Sequence, residues 1–208
     1  TLRPSLNARG KMLLLKEVMD GKLELSDELI ETLFQCTTCA SCFENCPSGV
    51  EVPEIIKQVR KDMVDIGSCH PAFKGMNEVL QKHDNIYAED EPEDFERERN
   101  KQAENVYFIG CVGSYREDEA TLATLDLLDR LEVDYTLIDE VCCSGVLEDV
   151  GYQINGDLVR KNLDNIYATG AQRVITGCPY CFRTFKNKPQ YAELREKGIE
   201  IVHMSQFL

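Results

Sequence analysis

No apolar run in these 208 residues approaches the ~20 residues needed to cross a bilayer as a helix. No signal peptide is visible in the sequence, because Thr1-Leu2-Arg3-Pro4 runs straight into polar residues, and none is expected. An initiator Met is also lacking, and the expectation is a processed chain or a piece of a longer one. Cationic residues are scarce: 23 Lys and Arg stand against 37 Asp and Glu, a net charge of −14. That argues against nucleic acid as a partner, since phosphates are bound by cations. It argues equally against docking on anionic lipid, so membrane association is expected only indirectly, through a partner, and the expected location is cytoplasmic. Such acidity reads ordinarily as a solvated surface, with steering of a basic redox partner as the functional alternative. Histidine is sparse, and His70, His83 and His203 show no ligand spacing and read as structural. No flavin- or nucleotide-binding fingerprint is present, so any flavin sits on a partner.

Cysteine, by contrast, is abundant, with ten in the chain. A disulfide framework would need export to an oxidising compartment, which nothing signals. Closely spaced cysteines in a reducing compartment point to metal or redox chemistry instead. Cys36, Cys39, Cys42 and Cys46 form one group, and Cys111, Cys142, Cys143, Cys178 and Cys181 a second; Cys69 is left over.

The hydropathy pattern predicts two modules. Residues 1–85 read as helical: Arg9–Asp20 stopped by Gly21, Asp27–Phe34 capped by Ser26 and delivering Cys36, Pro53 to about Ile66 stopped by Gly67, and Pro71 to about His83. Residues 86–104 are dense in charge and read as an exposed linker or charged helix. From residue 105 strands at Val106–Ile109, Tyr135–Ile138, Arg173–Thr176 and Ile199–Met204 alternate with helices at Glu117–Leu131 and Asn155–Thr169. This predicts the α/β class, a mostly parallel sheet over 105–208. Cys111 follows the first strand, Cys142 and Cys143 the second, and Cys178 the third. Parallel strands would gather this group at the carboxyl edge of the sheet, where open α/β sheets place ligands.

Cys36-Thr-Thr-Cys39-Ala-Ser-Cys42-Phe-Glu-Asn-Cys46-Pro47 has the C-x2-C-x2-C-x3-C-P spacing of ferredoxin-type ligation. Three thiolates spaced this way wrap corners of a [4Fe–4S] cubane, and Pro47 turns the chain away. Structural zinc, the alternative, usually takes two separated C-x2-C pairs. In two-cluster ferredoxins the fourth cysteine ligates the other cluster, and no second run of this kind occurs here. Three arrangements stay open: Cys46 closing one cluster, Cys46 serving another, and Cys69 supplying the fourth ligand, with packing the ordinary role of a lone cysteine.

The second group, with Ser144-Gly145 after its adjacent pair and Cys178-Pro-Tyr-Cys181 at its end, resembles the cysteine-rich CCG domain of the heterodisulfide reductase family. Asn7-Ala-Arg-Gly-Lys11 at a helix start, the loop from Cys39 to Val52, and Val202-His203-Met204 resemble other parts of that family, so the resemblance covers most of the chain. It implies a non-cubane [4Fe–4S] cluster on Cys111, Cys142, Cys143, Cys178 and Cys181, one thiolate of the adjacent pair bridging irons. It also implies a disulfide or thiol substrate at that cluster, electrons from ferredoxin-type clusters, and flavoprotein or ferredoxin-like redox subunits as partners. The chain departs from the family's reductases in carrying one CCG domain and one ferredoxin-type motif. The alternative function is a pure electron carrier between a flavoprotein dehydrogenase and a quinone or other carrier, without substrate binding.

Rival readings attach to single residues. Cys178-Pro-Tyr-Cys181 also matches a glutaredoxin-type dithiol, although only 27 residues follow it. A zinc-stabilised interaction module would have to explain five cysteines where zinc takes four ligands. Asp139, Glu140, Glu148 and Asp149 flank the adjacent pair and read as solvated loop acids, with tuning of its potential or proton shuttling as the functional alternative. Tyr115 and Tyr180 read as packing, with a hydrogen bond to sulfur as the alternative. Ser144 and Gly145 would let the backbone approach a cluster.

Overall fold

The structure, a computed structural model, describes residues 3–89 and 95–208, so Thr1-Leu2 and the 90–94 part of the charged stretch lie outside the described residues. The chain divides into two compact units: Thr1–Asn77 with Leu147–Gln153, and Glu78–Val146 with Ile154–Leu208.

The first unit is helical. A short 3-10 turn, Pro4–Leu6, leads into α1 (Ala8–Met19), whose N-cap Asn7 accepts from the Gly10 amide. α2 (Asp27–Phe34) is capped by Ser26 as its sequence predicts. α3 (Ser41–Glu44) is one turn within the cysteine loop, and α4 (Val52–Asp65) carries Pro53 in its first turn, where a missing N–H is harmless. Leu15, Leu29, Leu33, Ile56 and Met63 form the core among these helices. The single helix expected from Pro71 to His83 is two, α5 (Pro71–Lys74) and α6 (Met76–His83), the latter belonging from Glu78 onward to the second unit. Gly75 caps the first by donating to Phe73 O, and a glycine's backbone freedom disfavours continuing the helix through it.

The second unit follows with β1 (Asn105–Phe108), α7 (Cys111–Tyr115), α8 (Asp118–Arg130) and β2 (Tyr135–Thr136). After α9 (Gly145–Asp149), whose last residues belong to the first unit, come α10 (Gly156–Ala168), β3 (Arg173–Thr176), α11 (Pro179–Asn187), α12 (Ala192–Glu196), β4 (Glu200–His203) and α13 (Met204–Phe207). The fold is α/β: the four strands are all parallel, in the order β2-β1-β3-β4. β1 pairs Val106 with Val174 and Phe108 with Thr176 of β3. Its side chains alternate between faces. Val106 and Phe108 pack with Leu163, Ile166, Phe185 and Tyr191, while Tyr107 and Ile109 pack with Leu125, Leu128 and Met204. Phe185 meets Phe108 and Tyr191 edge to face, at 4.8 and 4.7 Å between ring centroids.

β2 is shorter than the expected Tyr135–Ile138 because the next residue, Leu137, pairs with the charged stretch instead. Leu137 N donates to Glu98 O and Asn100 N to Leu137 O, with Arg99 opposite Leu137 in a parallel bridge. Phe95 is buried at 1 % exposure. Residues 95–103 are thus not a freely solvated connection; part of the stretch runs along the edge of the sheet, where unpaired strand groups need cover.

The connection from β1 leads to β2 on one side, whereas β3 lies on the other side of β1. That reversal makes the carboxyl end of β1 and β3 a topological switch point, the place where parallel sheets open a ligand crevice. Among the described residues no helix is long and apolar enough to cross a membrane.

Candidate metal centre

The five later cysteines converge at this switch point. Gly110 (φ +83°), two residues past the end of β1, is the N-cap of α7, which starts at Cys111. A Cβ at Gly110 would lie 3.0 Å from Cys181 Sγ and 3.6 Å from Cys178 Cβ, so only glycine lets the chain pass this close. Cys178 is the N-cap of α11 and Cys181 sits in its first turn. Cys143 Sγ and Cys181 Sγ are 3.5 Å apart. Cys142 interacts through its side chain with Cys111 and Cys143, and Cys181 with Cys143 and Cys178. The sulfurs therefore form an unbroken succession, Cys111, Cys142, Cys143, Cys181, Cys178.

Within that succession the thiols differ in acidity. Donation from Cys142 and Cys181 pulls Cys143 well below an ordinary thiol. The Cys181 thiol, helped by the amides of Cys181 and Tyr180, brings Cys178 down to about 6. Cys142 is pushed up by its hydrogen bonds to Cys111 and Cys143, and Cys181 by those to Cys143 and Cys178. Thiolates are the ligating form.

The backbone around these thiols is pinned by polar side chains. Glu140 accepts from the amides of Ile109 (2.8 Å) and Gly110 (2.5 Å), fixing the step into Cys111. Burial of its carboxyl, against the opposing pull of those amides, raises it to about 8. Asn162 of α10 accepts from Val141 N and donates to Val141 O and Cys142 O, and the Tyr191 hydroxyl donates to Cys143 O. Ser144 turns the chain at φ +60° and its amide donates to Cys142 Sγ at 3.4 Å. Gly145 allows close approach, but to α11: a Cβ there would meet Thr184 Oγ1 at 2.0 Å. His203 Nδ1 accepts from Ser205 N, so Nε2 carries the proton and donates to Gly177 O at 3.0 Å, bracing the turn before Cys178.

The first motif lies in the helical unit. Cys36 and Cys42 pack against the Leu15–Leu33–Ile56 core, while Cys39 is exposed. Thr38 and Ala40 hold left-handed conformations (φ +52° and +63°) that curl the loop between successive cysteines. The Ser41 amide, then the Thr37 hydroxyl, lower the Cys39 thiol; the amides of Val50 and Ser48 lower Cys46, with Val50 N 3.4 Å from its sulfur. Cys69 stands apart from this set. It lines a cavity of about 690 Å³ with Glu31 and His70, which none of the four motif cysteines lines, and burial raises its thiol. His70 Nδ1 caps α5 through Ala72 N while Nε2 meets Glu31 at 2.5 Å, a structural role as expected.

Among the described residues no three His, Cys, Asp or Glu side chains converge as ligands of a single ion. The donor set instead fits iron–sulfur groups: sulfur alone, in succession, with backbone amides directed at the thiols.

Residues 105–186 match the family model of CCG, a cysteine-rich domain. Over its whole length the chain is 27% identical to the D-type polypeptide of the dihydromethanophenazine:CoB–CoM heterodisulfide reductase of Methanosarcina acetivorans and 26% identical to that of Methanosarcina barkeri, covering 53% of each. Residues 105–186 thus form a CCG cysteine-rich domain, and the chain as a whole is similar to heterodisulfide reductase D-type polypeptides. The chain is also 26% identical, over 86% of its length, to an EtfAB:quinone oxidoreductase of Syntrophomonas wolfei, of which it covers 27%. It spans about half the length of the curated Methanosarcina relatives it matches. No solved structure matches it.

The acids around the adjacent cysteine pair are not all solvated loop residues. Asp139 is exposed and bonds Asn100, but Glu140 clamps two amides and Asp149 is buried at 4 % exposure. Glu148 is half-buried. Tyr115 accepts from Asn85 and Tyr180 lies under the Arg183 guanidinium, consistent with packing. Asn162 and Tyr191 escaped the sequence reading. Asn162 had a signal, an amide on the apolar stripe Leu158, Val159, Leu163, Ile166 of α10; Tyr191 had none.

Proposed function

We propose that this chain is the electron-transfer and catalytic subunit of a heterodisulfide-reductase-like complex. Cys36, Cys39, Cys42 and Cys46 would hold a [4Fe–4S] cubane. Cys111, Cys142, Cys143, Cys178 and Cys181 would hold a non-cubane [4Fe–4S] cluster, beside which a disulfide is reduced or formed. The observation that carries this reading is the succession of five thiols in the β1/β3 crevice, with no other type of donor among them. Such clusters, when bound, supply one-electron steps.

The chain's own residues do the rest. Cys143 and Cys178 are already inclined to the thiolate, and Cys142 and Cys181 release their protons on ligation. Glu140, Asn162 and Tyr191 hold the ligand-bearing backbone in place. On reduction each sulfur of a disulfide takes up an electron and a proton, leaving a pair of thiols; formation runs the balance backwards. The exposed Cys39 marks where electrons from a flavoprotein or ferredoxin-like partner would enter.

A second reading, a pure carrier between a flavoprotein and a quinone, is favoured by the similarity to the EtfAB:quinone oxidoreductase. Anaerobic iron and acid-labile sulfide analysis, with EPR of the oxidised protein before and after candidate thiols, separates the two. About eight irons per chain and a thiol-responsive signal support the catalytic reading. About four irons and no thiol response leave the carrier. Zinc without iron overturns both.

A further inference from the structure

The first ligand loop rests on buried charge. Arg60, on α4, is 3 % exposed, and its guanidinium donates to the carbonyls of Leu33 (2.9 Å), Phe34 (3.0 Å) and Cys36 (2.6 Å). It also donates to the carbonyl of Asp149 at 2.6 Å. Asp149, 4 % exposed, directs its carboxylate to Thr38, whose hydroxyl donates to Oδ2 at 2.7 Å; Lys57 Nζ is 3.8 Å from Oδ1. Thr38 is itself buried and stands between Cys36 and Cys39 in a left-handed conformation. All of these residues belong to the first unit, Asp149 arriving on its Leu147–Gln153 segment, six residues after Cys143.

Taking charged groups out of water is unfavourable, and apolar side chains of the same volume commonly fill such space as well or better. Stability therefore does not explain a buried cation and a buried anion here. What they share is a target: the backbone and side chain of the segment that presents Cys36 and Cys39.

We propose that Arg60 and Asp149 are positioning residues for the first cluster. Arg60 fixes the carbonyls through which α2 delivers Cys36, and Asp149 fixes Thr38, so that Cys36 and Cys39 meet their ligand in one geometry and one electrostatic field. The inference rests on the reading that these cysteines hold a cluster. Reduction adds negative charge to a cluster, so a nearby buried anion opposes it and a nearby buried cation favours it. Loss of the two charges should thus move the potential in opposite directions, which simple loosening of the loop has no reason to do.

The test uses the full chain, reconstituted anaerobically and followed by iron analysis and EPR-monitored redox titration. A Cys39→Ser variant assigns the first cluster's signal. In Asp149→Asn that signal is expected to titrate at a higher potential, with partial return in Asp149→Glu, and in Arg60→Gln at a lower one, while the second cluster keeps its wild-type spectrum. Selective loss of the first cluster's irons in Asp149→Asn, with the second retained, also supports positioning. Should either charge variant not fold, Thr38→Val decides, because it removes the hydroxyl and keeps the shape. A changed line shape of the first cluster in Thr38→Val supports the proposal, and a wild-type line shape there overturns it. Unchanged potential and spectrum in folded, fully loaded Asp149→Asn overturn it as well. If the wild-type chain itself shows no signal that Cys39→Ser removes, the underlying cluster reading fails, which is a different result.

Discussion

Asn162 shows how much a single amide does in the second unit. Its side chain holds Val141 through both N–H and C=O, reaches Cys142 O, and donates to the Tyr191 hydroxyl, which in turn donates to Cys143 O. Replacing it with leucine keeps the volume but strands these backbone groups in a buried setting, at a cost of about 1–3 kcal/mol. If the proposed clusters are present, the expected outcome for Asn162→Leu is a lower unfolding midpoint together with a changed EPR signal from the cluster at Cys142 and Cys143 and an unchanged signal from that at Cys36–Cys46. A drop in stability with both spectra intact would show that the amide serves packing alone. Glu140 has the same kind of role at Cys111, and its raised carboxyl reflects the burial that this role demands.

At the scale of elements, α1 illustrates a junction fixed by one missing methyl. A Cβ at Gly10 would stand 1.9 Å from Pro4 O and 2.8 Å from Pro4 C, so the 3-10 turn and the helix lie together only because residue 10 has no side chain. Both atoms are backbone and cannot rotate away. Gly10→Ala, which would otherwise favour a helix by up to about 1 kcal/mol, is expected to destabilise the first unit by roughly 1–3 kcal/mol, as overpacking does. Thermal unfolding of the metal-loaded protein measures the sign, and a stabilised variant would show that the turn simply detaches. Elements of this kind were partly legible from sequence. The Ser26 cap, the stops at Gly21 and Gly67, and β3 all rest on local rules and came out within a residue or two. The convergence of Cys111, Cys142, Cys143, Cys178 and Cys181 was legible too, because it needs only parallel strands. The roles of Arg60, Asp149 and Asn162 were not, since each depends on partners 20 or more residues away in the chain. The charged stretch misled for a related reason: its composition is that of a solvated segment, and only the edge at Leu137 and the burial of Phe95 make part of it structural.

For the whole molecule, charge is the property that the fold does not cancel. With a net charge of −14, the chain should attract cationic electron carriers and repel anionic ones, and salt should weaken both effects within a Debye length of about 8–10 Å. Stopped-flow oxidation of the reduced protein is expected to run faster with a cationic than with an anionic one-electron oxidant of matched potential, the gap closing as ionic strength rises; a salt-independent ratio would mean that electrons leave through an uncharged face. The seven residues Leu147–Gln153 carry a different consequence. They complete the first unit although the ribosome makes them after the adjacent pair Cys142-Cys143. Domains ordinarily fold in the order they emerge. Here the earlier unit is complete only once Leu147–Gln153 have been made, so the contacts that Arg60 and Thr38 make with Asp149 form no sooner. A nascent chain stalled before Asp149 would present the thiols of Cys36 and Cys39 without the buried carboxylate that holds Thr38 between them.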